Sequence, residues 1–388
     1  MTHSGSVYLE LGAVIFLLGV GGRVAARGGI SPIPLYLVAG LVLSAFDIPA
    51  LSGDFIEFAA GLGVILLLFL IGLEYTVDEL AERMRHSMRA GLLDILLNFP
   101  PGLLIGLALE WDVKAAVLLG GVTYVTSSAI VVKALSDLTR TRCPETPTVV
   151  ALLLGEDLAM TVFLPLAAAL VVGGGVLATL GSVLIAVVAA VAALIGALHF
   201  GDPLGRIVHH RSEEIALLSA LGLVLMVAGL AEELQLPAAV GAFLIGIALS
   251  DEVAHRTRTL LAPIRDVNVA LFFLFFALQI DTDELPGVAL PALGLALVTA
   301  ATKAITGWRA AVLAGVDEAG RARAAVAMIP RGEMSIVLAT VGSTVEPELV
   351  PLGAAYVLIL AISGTILMRY SGLILRVVPA RSGLVTEV

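Results

Sequence analysis

Long runs of apolar residues alternate with short polar connections along the whole chain. Runs of this length predict helices that cross a bilayer, because about 20 apolar residues in a helix span the hydrocarbon core. The polar connections contain most of the charged residues. The pattern therefore predicts thirteen spans, at about 7–22, 30–46, 54–73, 88–109, 113–135, 147–172, 174–198, 214–231, 236–250, 267–280, 287–314, 322–343 and 350–375.

The basic residues are distributed unevenly about these segments. With the N-terminus outside and the segments alternating, the cytoplasmic side receives 19 of the 22 lysines and arginines, and the outer side receives Lys114 alone. Lys303 and Arg331 fall within predicted spans. Cytoplasmic loops of membrane proteins are rich in Lys and Arg. The pattern therefore predicts a multi-pass protein of a prokaryotic inner membrane, with its C-terminus in the cytoplasm.

The composition supports a chain that is mostly within lipid. Hydrophobic residues make up 59% of its 388 residues and charged residues 14%, whereas soluble domains contain about 45–50% and about 25%. We expect no soluble regulatory domain in this length. The net charge of −10 argues against a nucleic-acid partner. We see no nucleophile–base pattern or phosphate-binding loop, so we expect neither an enzyme nor a bound cofactor.

The thirteen segments divide into six, one and six. An odd linker span reverses the second half relative to the first, which is the arrangement of inverted-repeat transporters. The fifth segment has a polar break at 123–128, and the corresponding twelfth has one at 330–333. Interrupted helices at matching positions point to a binding site near the middle of the membrane. We therefore predict an all-α fold of two inverted six-helix repeats.

Two adjacent carboxylates, Glu156 and Asp157, lie in the sixth segment with apolar residues on both sides. A charge at the centre of a span costs about 2.5–3.5 kcal/mol, so such residues usually have a function. Adjacent helical residues point about 100° apart. One carboxylate can face a water-filled cavity while the other faces a neighbouring helix. The alternative is an acidic pair that only contacts other helices.

Lys303 lies deep in the eleventh segment and requires a buried counter-ion. The carboxylates at similar depth are Glu156, Asp157, Asp94 and Glu333. We expect an ion pair between Lys303 and Glu156, with Asp94 among the supporting residues. A lysine near the cytoplasmic end of its helix is the alternative.

The two polar breaks carry different chemistry. Thr126, Ser127 and Ser128 can supply oxygen ligands to a desolvated cation, although such hydroxyls often bond only to their own or a neighbouring helix. In the second break we expect Arg331 to hold the broken helix together or to pair with Glu333 or a core carboxylate. Direct ion binding by Glu333 is the weaker hypothesis.

These motifs together resemble the monovalent cation:proton antiporter-2 family. The run GVILLLFLIGLE at 63–74 is similar to its third-span signature, and TSSAIVV at 126–132, the Glu156–Asp157 pair, Lys303 and PRGE at 330–333 follow in the family's order. Within the family, SPIP at 31–34 and LEY at 73–75 most resemble Kht- and Kef-type potassium/proton antiporter subunits.

The resemblance implies a sodium/proton antiporter fold with crossed, broken helices, and a homodimer. Asp157 would match the ion-binding carboxylate, and Lys303 the ion-pairing lysine. A separate cytoplasmic regulatory subunit, with a ligand-binding domain of the TrkA-C type, would replace the domain that Kef-type relatives carry. The core bundles would move against dimerising panels, with a panel at 1–75, a core bundle at 86–172, a linker helix at 174–199, a second panel at 212–281 and a second core bundle at 286–378.

We therefore expect a secondary antiporter that exchanges K⁺, or else Na⁺, for protons through alternating access, with the monovalent cation bound at Asp157. Two alternatives from other classes remain open. A sodium-coupled symporter of an organic anion would need a pocket with anion donors. A ligand-gated potassium efflux channel would show a pore-lining ring.

Overall fold

The computed structural model is all-helical in the part of the chain that it describes, and no strand occurs there. The described residues are 3–46, 54–73, 77–172, 188, 208, 210–234, 237–249 and 251–371. The predicted linker helix at 174–199 therefore lies outside the described residues apart from one position, as do residues 74–75 of the third-span motif.

Fourteen helices occur in the described residues. They are α1 His3–Gly28, α2 Ile33–Leu43, α3 Asp54–Gly72, α4 Val77–Ala108, α5 Val113–Tyr124, α6 Ser128–Asp137, α7 Thr146–Val172, α8 Glu213–Glu233, α9 Ala238–Ala248, α10 Asp251–Leu278, α11 Leu285–Leu313, α12 Glu318–Ala327, α13 Glu333–Gly342 and α14 Leu349–Arg369.

Helices lie at the predicted apolar segments wherever those segments are described. Within the described residues, eight stretches are long and apolar enough to cross a membrane, and α5 with α6 counts as one of them. Shorter apolar helices accompany them at 33–43, 56–72, 238–248 and 333–342. α4 and α10 begin well before the predicted segments, because their first turns are charged and the apolar pattern starts only later.

The described helices pack in two groups. α1, α2 and α3 pack with α8, α9 and α10, mainly through α3 and α10. The helices α4 to α7 pack with α11 to α14. The groups meet where α2 contacts α14 and where α3 contacts α6. We call the first set the panel group and the second set the core group.

Two short helices of the core group, α5 and α12, begin at capping aspartates. Asp112 accepts a hydrogen bond from the backbone N–H of Lys114 at the start of α5. Asp317 accepts one from Gly320 at the start of α12. A cap satisfies one of the four N–H groups that a helix leaves free at its first turn. These caps help to fix where the broken helices begin.

Candidate ion-binding site

Two helices are interrupted where the sequence places polar residues in the fifth and twelfth segments. α5 ends at Tyr124 and α6 begins at Ser128, with extended backbone between them. α12 ends at Ala327 and α13 begins at Glu333. Pro330, between them, has no backbone N–H with which to continue a helix. Both predicted interruptions are therefore confirmed.

The two interruptions lie against each other. The backbone N–H of Ser127 donates to the carbonyl oxygen of Pro330 at 3.0 Å, and Thr126 Oγ1 donates to the carbonyl of Met328 at 3.4 Å. A side chain at Gly332 would collide with Ser127, so glycine permits this close approach. Each break thus satisfies part of the backbone that the other releases, as the interior of a bilayer requires.

Arg331 is fully buried, and its guanidinium holds the backbone of both interruptions. It donates to the carbonyl oxygens of Met328 at 3.1 Å and Ile329 at 3.0 Å, and to that of Thr123 on α5 at 3.2 Å. Its Nε donates to the Tyr356 hydroxyl at 3.0 Å. Arg331 therefore holds the broken helix together, which is one of the roles expected from the sequence. Within the described residues its contacts include no ion pair with a carboxylate.

Lys303, near the middle of α11, is fully buried between two carboxylates. Its Nζ lies 2.8 Å from Glu156 Oε1 on α7, and 2.8 and 3.0 Å from the two carboxylate oxygens of Asp94 on α4. The ammonium also lies 5.2 Å from the centre of the Tyr124 ring, within cation–π range. The structure contains the predicted pair of Lys303 with Glu156 and adds Asp94 to it. A lysine close to a helix end is excluded.

The charges in this cluster do not balance when both carboxylates are ionised. Asp94 and Glu156, 0% and 2% exposed, face one ammonium. Buried charge is tolerated only where hydrogen bonds satisfy it. Asp94 accepts from Asn98 Nδ2 at 2.9 Å, and Glu156 accepts from the backbone N–H of Thr126 and from its Oγ1, the latter at 3.1 Å. The cluster therefore joins α4, α7 and α11, and it carries surplus negative charge when both carboxylates are ionised.

Asp157 faces a different side of α7 from Glu156. Its Oδ2 accepts a hydrogen bond from Ser128 Oγ at 2.8 Å, and the residue lines a cavity of about 40 Å³. Residues 125–129 and 332–335 form much of the wall, so the N-terminal turns of α6 and α13 point to this space. Such a volume holds about one water molecule. It is therefore large enough for one small cation beside the carboxylate.

The three hydroxyl residues of the first interruption divide between the two carboxylates. Ser128 bonds to Asp157 and Thr126 to Glu156, while Ser127 Oγ accepts from the N–H of Ile130 at 3.3 Å and caps α6. The sequence treats the three as one set of cation ligands. All three residues line the small cavity, but their hydroxyls have different hydrogen-bond partners. Ser128 is the hydroxyl that contacts Asp157.

Glu333, in the first turn of α13, lines the same cavity as Asp157. It also lines a larger cavity of about 440 Å³, whose wall includes the exposed residues Glu57, Asp281 and Glu284. The acidic cavity, as we call the larger one, and the small cavity thus have Glu333 as a common wall. Glu333 thus lies at the same cavity as Asp157, although direct ion binding by Glu333 is only the weaker hypothesis from the sequence.

Several polar partners are not evident from the sequence. Tyr356 on α14 binds Arg331 and is hydrogen-bonded to Thr299 Oγ1 at 2.9 Å. A lone tyrosine within an apolar span is a signal, since a buried hydroxyl needs a partner. Asn98 lies one turn after Asp94, and Thr302 Oγ1 donates to its Oδ1 at 2.7 Å. Asp94 and Asn98 are both buried beside Lys303.

Comparison with known proteins gives a consistent result. Residues 12–370 match the family described as sodium/hydrogen exchanger, transmembrane. The chain is 32% identical to the K(+)/H(+) antiporter subunit KhtU of Bacillus subtilis, over 95% of this chain and 94% of that protein. It is 31% identical to the Ammonium/H(+) antiporter subunit AmhT of Alkalihalophilus pseudofirmus, over 93% of this chain and 92% of that protein.

The fold is also similar to a solved structure. The sodium proton antiporter MjNhaP1 from Methanocaldococcus jannaschii superposes with a TM-score of 0.68, covering 94% of this chain and 95% of that one. The two sequences are 18% identical. At this identity the likeness establishes a shared fold and carries no argument about the cation.

Proposed function

The chain belongs to the sodium/hydrogen exchanger family, and from that premise we propose that it exchanges K⁺ for protons at Asp157. Membership makes it a secondary antiporter of monovalent cations and protons in a membrane. K⁺ is our first choice because the chain is similar to a K(+)/H(+) antiporter subunit over nearly its whole length. Na⁺ is the second choice, and ammonium is the cation in the name of another relative.

The small cavity at Asp157 is the observation that carries the site assignment. Its charged lining residues are Asp157 and Glu333, and among the described residues no basic side chain lines it. A space of about 40 Å³ between carboxylates suits a monovalent cation that has lost most of its water. An organic anion would find neither the volume nor a basic side chain, so these features favour the antiporter over the organic-anion symporter.

Exchange follows from competition for one carboxylate. Ionised Asp157 attracts a cation, and the Ser128 hydroxyl beside it donates to the carboxylate. Protonated Asp157 has no charge with which to hold the cation. Either occupied form is nearly neutral and can cross the apolar barrier, whereas the empty carboxylate would bear the cost of a charge in the membrane. Transport in one direction therefore requires return of the other ion.

The ion-pair cluster gives the site a fixed frame. Lys303, Asp94 and Glu156 link three core helices, and Thr126 joins Glu156 to the first interruption. We propose that these residues, with Arg331, support the site and that Asp157 carries the exchanged ion. If the cluster also released a proton during transport, the number of protons exchanged per cation would rise by one.

The packing of the helices supports a transport movement between the panel group and the core group. Asp157, Ser128 and Glu333 belong to the core group, and their cavity is closed on the other side by panel residues such as Val64 and Leu68. Sliding of one group past the other would expose the site to each face in turn. By the distribution of Lys and Arg, the acidic cavity lies on the outer face.

We also propose a homodimer formed through the panel group, and a separate cytoplasmic regulatory subunit. Both relatives are named as antiporter subunits, which supports a partner chain. Large apolar side chains are exposed on the outer surfaces of the panel helices, for example Phe16 on α1 and Met226 on α8. These faces suit lipid or a second copy, and native mass spectrometry of the protein in lipid discs would distinguish a dimer from a monomer.

The experiment that tests the function uses purified protein in vesicles that contain a pH-sensitive dye. A proton gradient is imposed, and K⁺, Na⁺, ammonium or choline chloride is added in turn. We expect K⁺ to dissipate the gradient fastest and choline to have no effect. A membrane potential set with valinomycin separates exchange from channel-like leakage. Cation flux through a channel would depend on the potential and would not require protons to move in the opposite direction.

The test variant is Asp157→Asn, and its control is Asp283→Asn. Asp283 is exposed and lines neither the site cavity nor the acidic cavity. We expect the Asp157 variant to lose cation-dependent proton movement while it remains folded, and the Asp283 variant to transport like the parent. Undiminished exchange by Asp157→Asn would disprove the assigned site.

A further inference from the structure

A second cavity between the panel and core groups has the opposite charge from the ion site. Its volume is about 380 Å³, and its basic lining residues are Arg142, Arg258 and Arg265. None of its lining residues is Asp or Glu in the described part of the chain. This arginine cavity shares no lining residue with the small cavity at Asp157.

The arginines come from both groups of helices. Arg258 and Arg265 are on α10 of the panel group, and Arg142 is in the loop that follows α6 of the core group. The Arg265 guanidinium is positioned by Asp266, with Nε and Nη2 at 3.0 and 2.7 Å from its Oδ1. Arg258 Nη2 lies 3.4 Å from the carbonyl oxygen of Leu70 on α3. The guanidinium groups of Arg258 and Arg265 are thus held at the cavity wall by contacts with the protein.

The three guanidinium groups give this space a positive potential that disfavours the cation that the protein exchanges, although Asp266 offsets the charge of Arg265. Such a set is stabilised when an anion occupies the space between the charges. Guanidinium groups match phosphate oxygens with paired hydrogen bonds. Ser136 and Thr139 line the same wall with hydroxyl groups that can donate to such oxygens. A cavity of this volume also falls within the range for small-molecule sites.

We propose that the arginine cavity binds a phosphate-bearing anion. The phosphate can belong to a soluble compound or to the headgroup of an anionic lipid, since both present the same oxygens. The charge bias of the loops assigns this face to the cytoplasm. An anion held by Arg142 and Arg265 would tie the core group to the panel group.

A bound anion affects the exchange rate if transport requires the panel group and the core group to move relative to each other. A ligand shifts a conformational equilibrium only as far as it binds one state better than another. The arginine cavity has walls from both groups, so its ligand favours the arrangement seen here and slows turnover. This regulatory consequence rests on the proposed function, whereas the binding itself does not.

The binding test uses the whole protein in an uncharged detergent and measures its thermal unfolding midpoint. One arm adds inorganic pyrophosphate, and a second adds phosphatidylglycerol with phosphatidylcholine as its control. A saturable rise with pyrophosphate identifies a soluble phosphate source, and a rise with phosphatidylglycerol alone identifies the lipid source. A response to both that is matched by potassium chloride of equal ionic strength overturns the proposal.

The test variant is Arg142→Gln, and its control is Arg256→Gln. Arg142 is exposed in a loop, so its replacement leaves folding intact, and losing a charge-assisted hydrogen bond weakens binding about tenfold. Arg256 is on the same helix as Arg258 and Arg265, but its Nη2 donates to the Arg211 carbonyl at 2.7 Å and it does not line the cavity. Arg265→Gln is a second test variant. Parent-like binding by both test variants would rule the site out.

An exchange assay separates this proposal from the proposed function. In vesicles, the effective anion lowers the maximal exchange rate of the parent and of Arg256→Gln but not that of Arg142→Gln. If the protein binds the anion with the expected variant pattern and exchanges no cation, the proposed function fails and the site stands. If exchange is normal and no anion binds saturably, only the site fails.

Discussion

Lys303 binds Asp94 through both carboxylate oxygens, at 2.8 and 3.0 Å, although the two residues are 209 positions apart in the chain. The same ammonium binds Glu156 on a third helix. The neighbour of Glu156, Asp157, instead contacts Ser128 at the small cavity. One turn of α7 thus directs Glu156 to Lys303 and Asp157 to the small cavity.

Replacing Lys303 with glutamine should destabilise the protein strongly. The change leaves Asp94 and Glu156 facing each other without a cation, and breaking a buried ion pair costs about 3–5 kcal/mol. We expect a clear fall in the thermal unfolding midpoint in detergent. Lys133→Gln is the matched control, because the pair of Lys133 with Asp137 is partly exposed and such pairs contribute about 1 kcal/mol or less.

The double variant Lys303→Gln with Asp94→Asn tests the cause. It removes one charge of each sign, so it restores the net charge of the cluster, and it should unfold at a higher temperature than Lys303→Gln alone. A double variant less stable than the single one would show that charge balance is not the main role of Lys303.

The apparent affinity for K⁺ should depend on pH in one direction. If one proton competes with the cation for Asp157, lowering the pH raises the apparent KM by up to about tenfold for each pH unit, while the maximal rate at saturating K⁺ stays constant. Initial exchange rates at several K⁺ concentrations and pH values measure this. A maximal rate that falls with an unchanged KM would point to titration elsewhere.

Ser128→Ala and Thr126→Val should have different effects, because the two hydroxyls bond to different carboxylates. Ser128 donates to Asp157, and a hydrogen bond to a charged group contributes about 1.5–3 kcal/mol, so its loss should alter the apparent KM for K⁺ and its pH dependence. Thr126 Oγ1 donates to Glu156, so Thr126→Val should lower stability with little change in KM. The same KM change in both variants would contradict this division.

Much of the site follows from sequence because charges within an apolar span are costly. That cost singles out Glu156, Asp157, Lys303 and Arg331 before any coordinates are considered. Helical geometry then separates the two adjacent carboxylates. The interruptions are predictable as well, since Pro330 and the hydroxyl run at 126–128 disrupt otherwise regular apolar patterns.

The remaining contacts depend on the direction of individual side chains. Asp94 is a candidate from its depth, but several buried carboxylates could reach Lys303 and the pattern does not choose among them. Thr126 lies in the interruption and Ser128 in the first turn of α6. Their hydroxyls bond to Glu156 and Asp157 respectively, a division that the sequence pattern does not predict. The place of Glu333 between two cavities depends on packing from several helices.

Arg331→Lys should loosen the contact between the two interruptions. A lysine cannot reach three carbonyl oxygens and the Tyr356 hydroxyl at once, because it lacks the planar fork of donors. We expect faster amide hydrogen exchange at Ser127, whose N–H bonds to Pro330. Tyr356→Phe removes one of these contacts and should give a smaller effect, and Tyr370→Phe, at an exposed position, should give none. Unchanged exchange in Arg331→Lys would mean that the backbone alone holds the break.

Glu333→Gln should weaken access of K⁺ to the site without abolishing transport. The Glu333 carboxylate borders both the acidic cavity and the small cavity at Asp157, so its charge raises the local concentration of cations on that path. Neutralising it should raise the apparent KM for K⁺ several-fold, more at low than at high ionic strength, because salt screens the attraction. Glu348→Gln, at an exposed glutamate that lines neither cavity, is the control. Complete loss of exchange at saturating K⁺ would instead make Glu333 a second essential carboxylate beside Asp157.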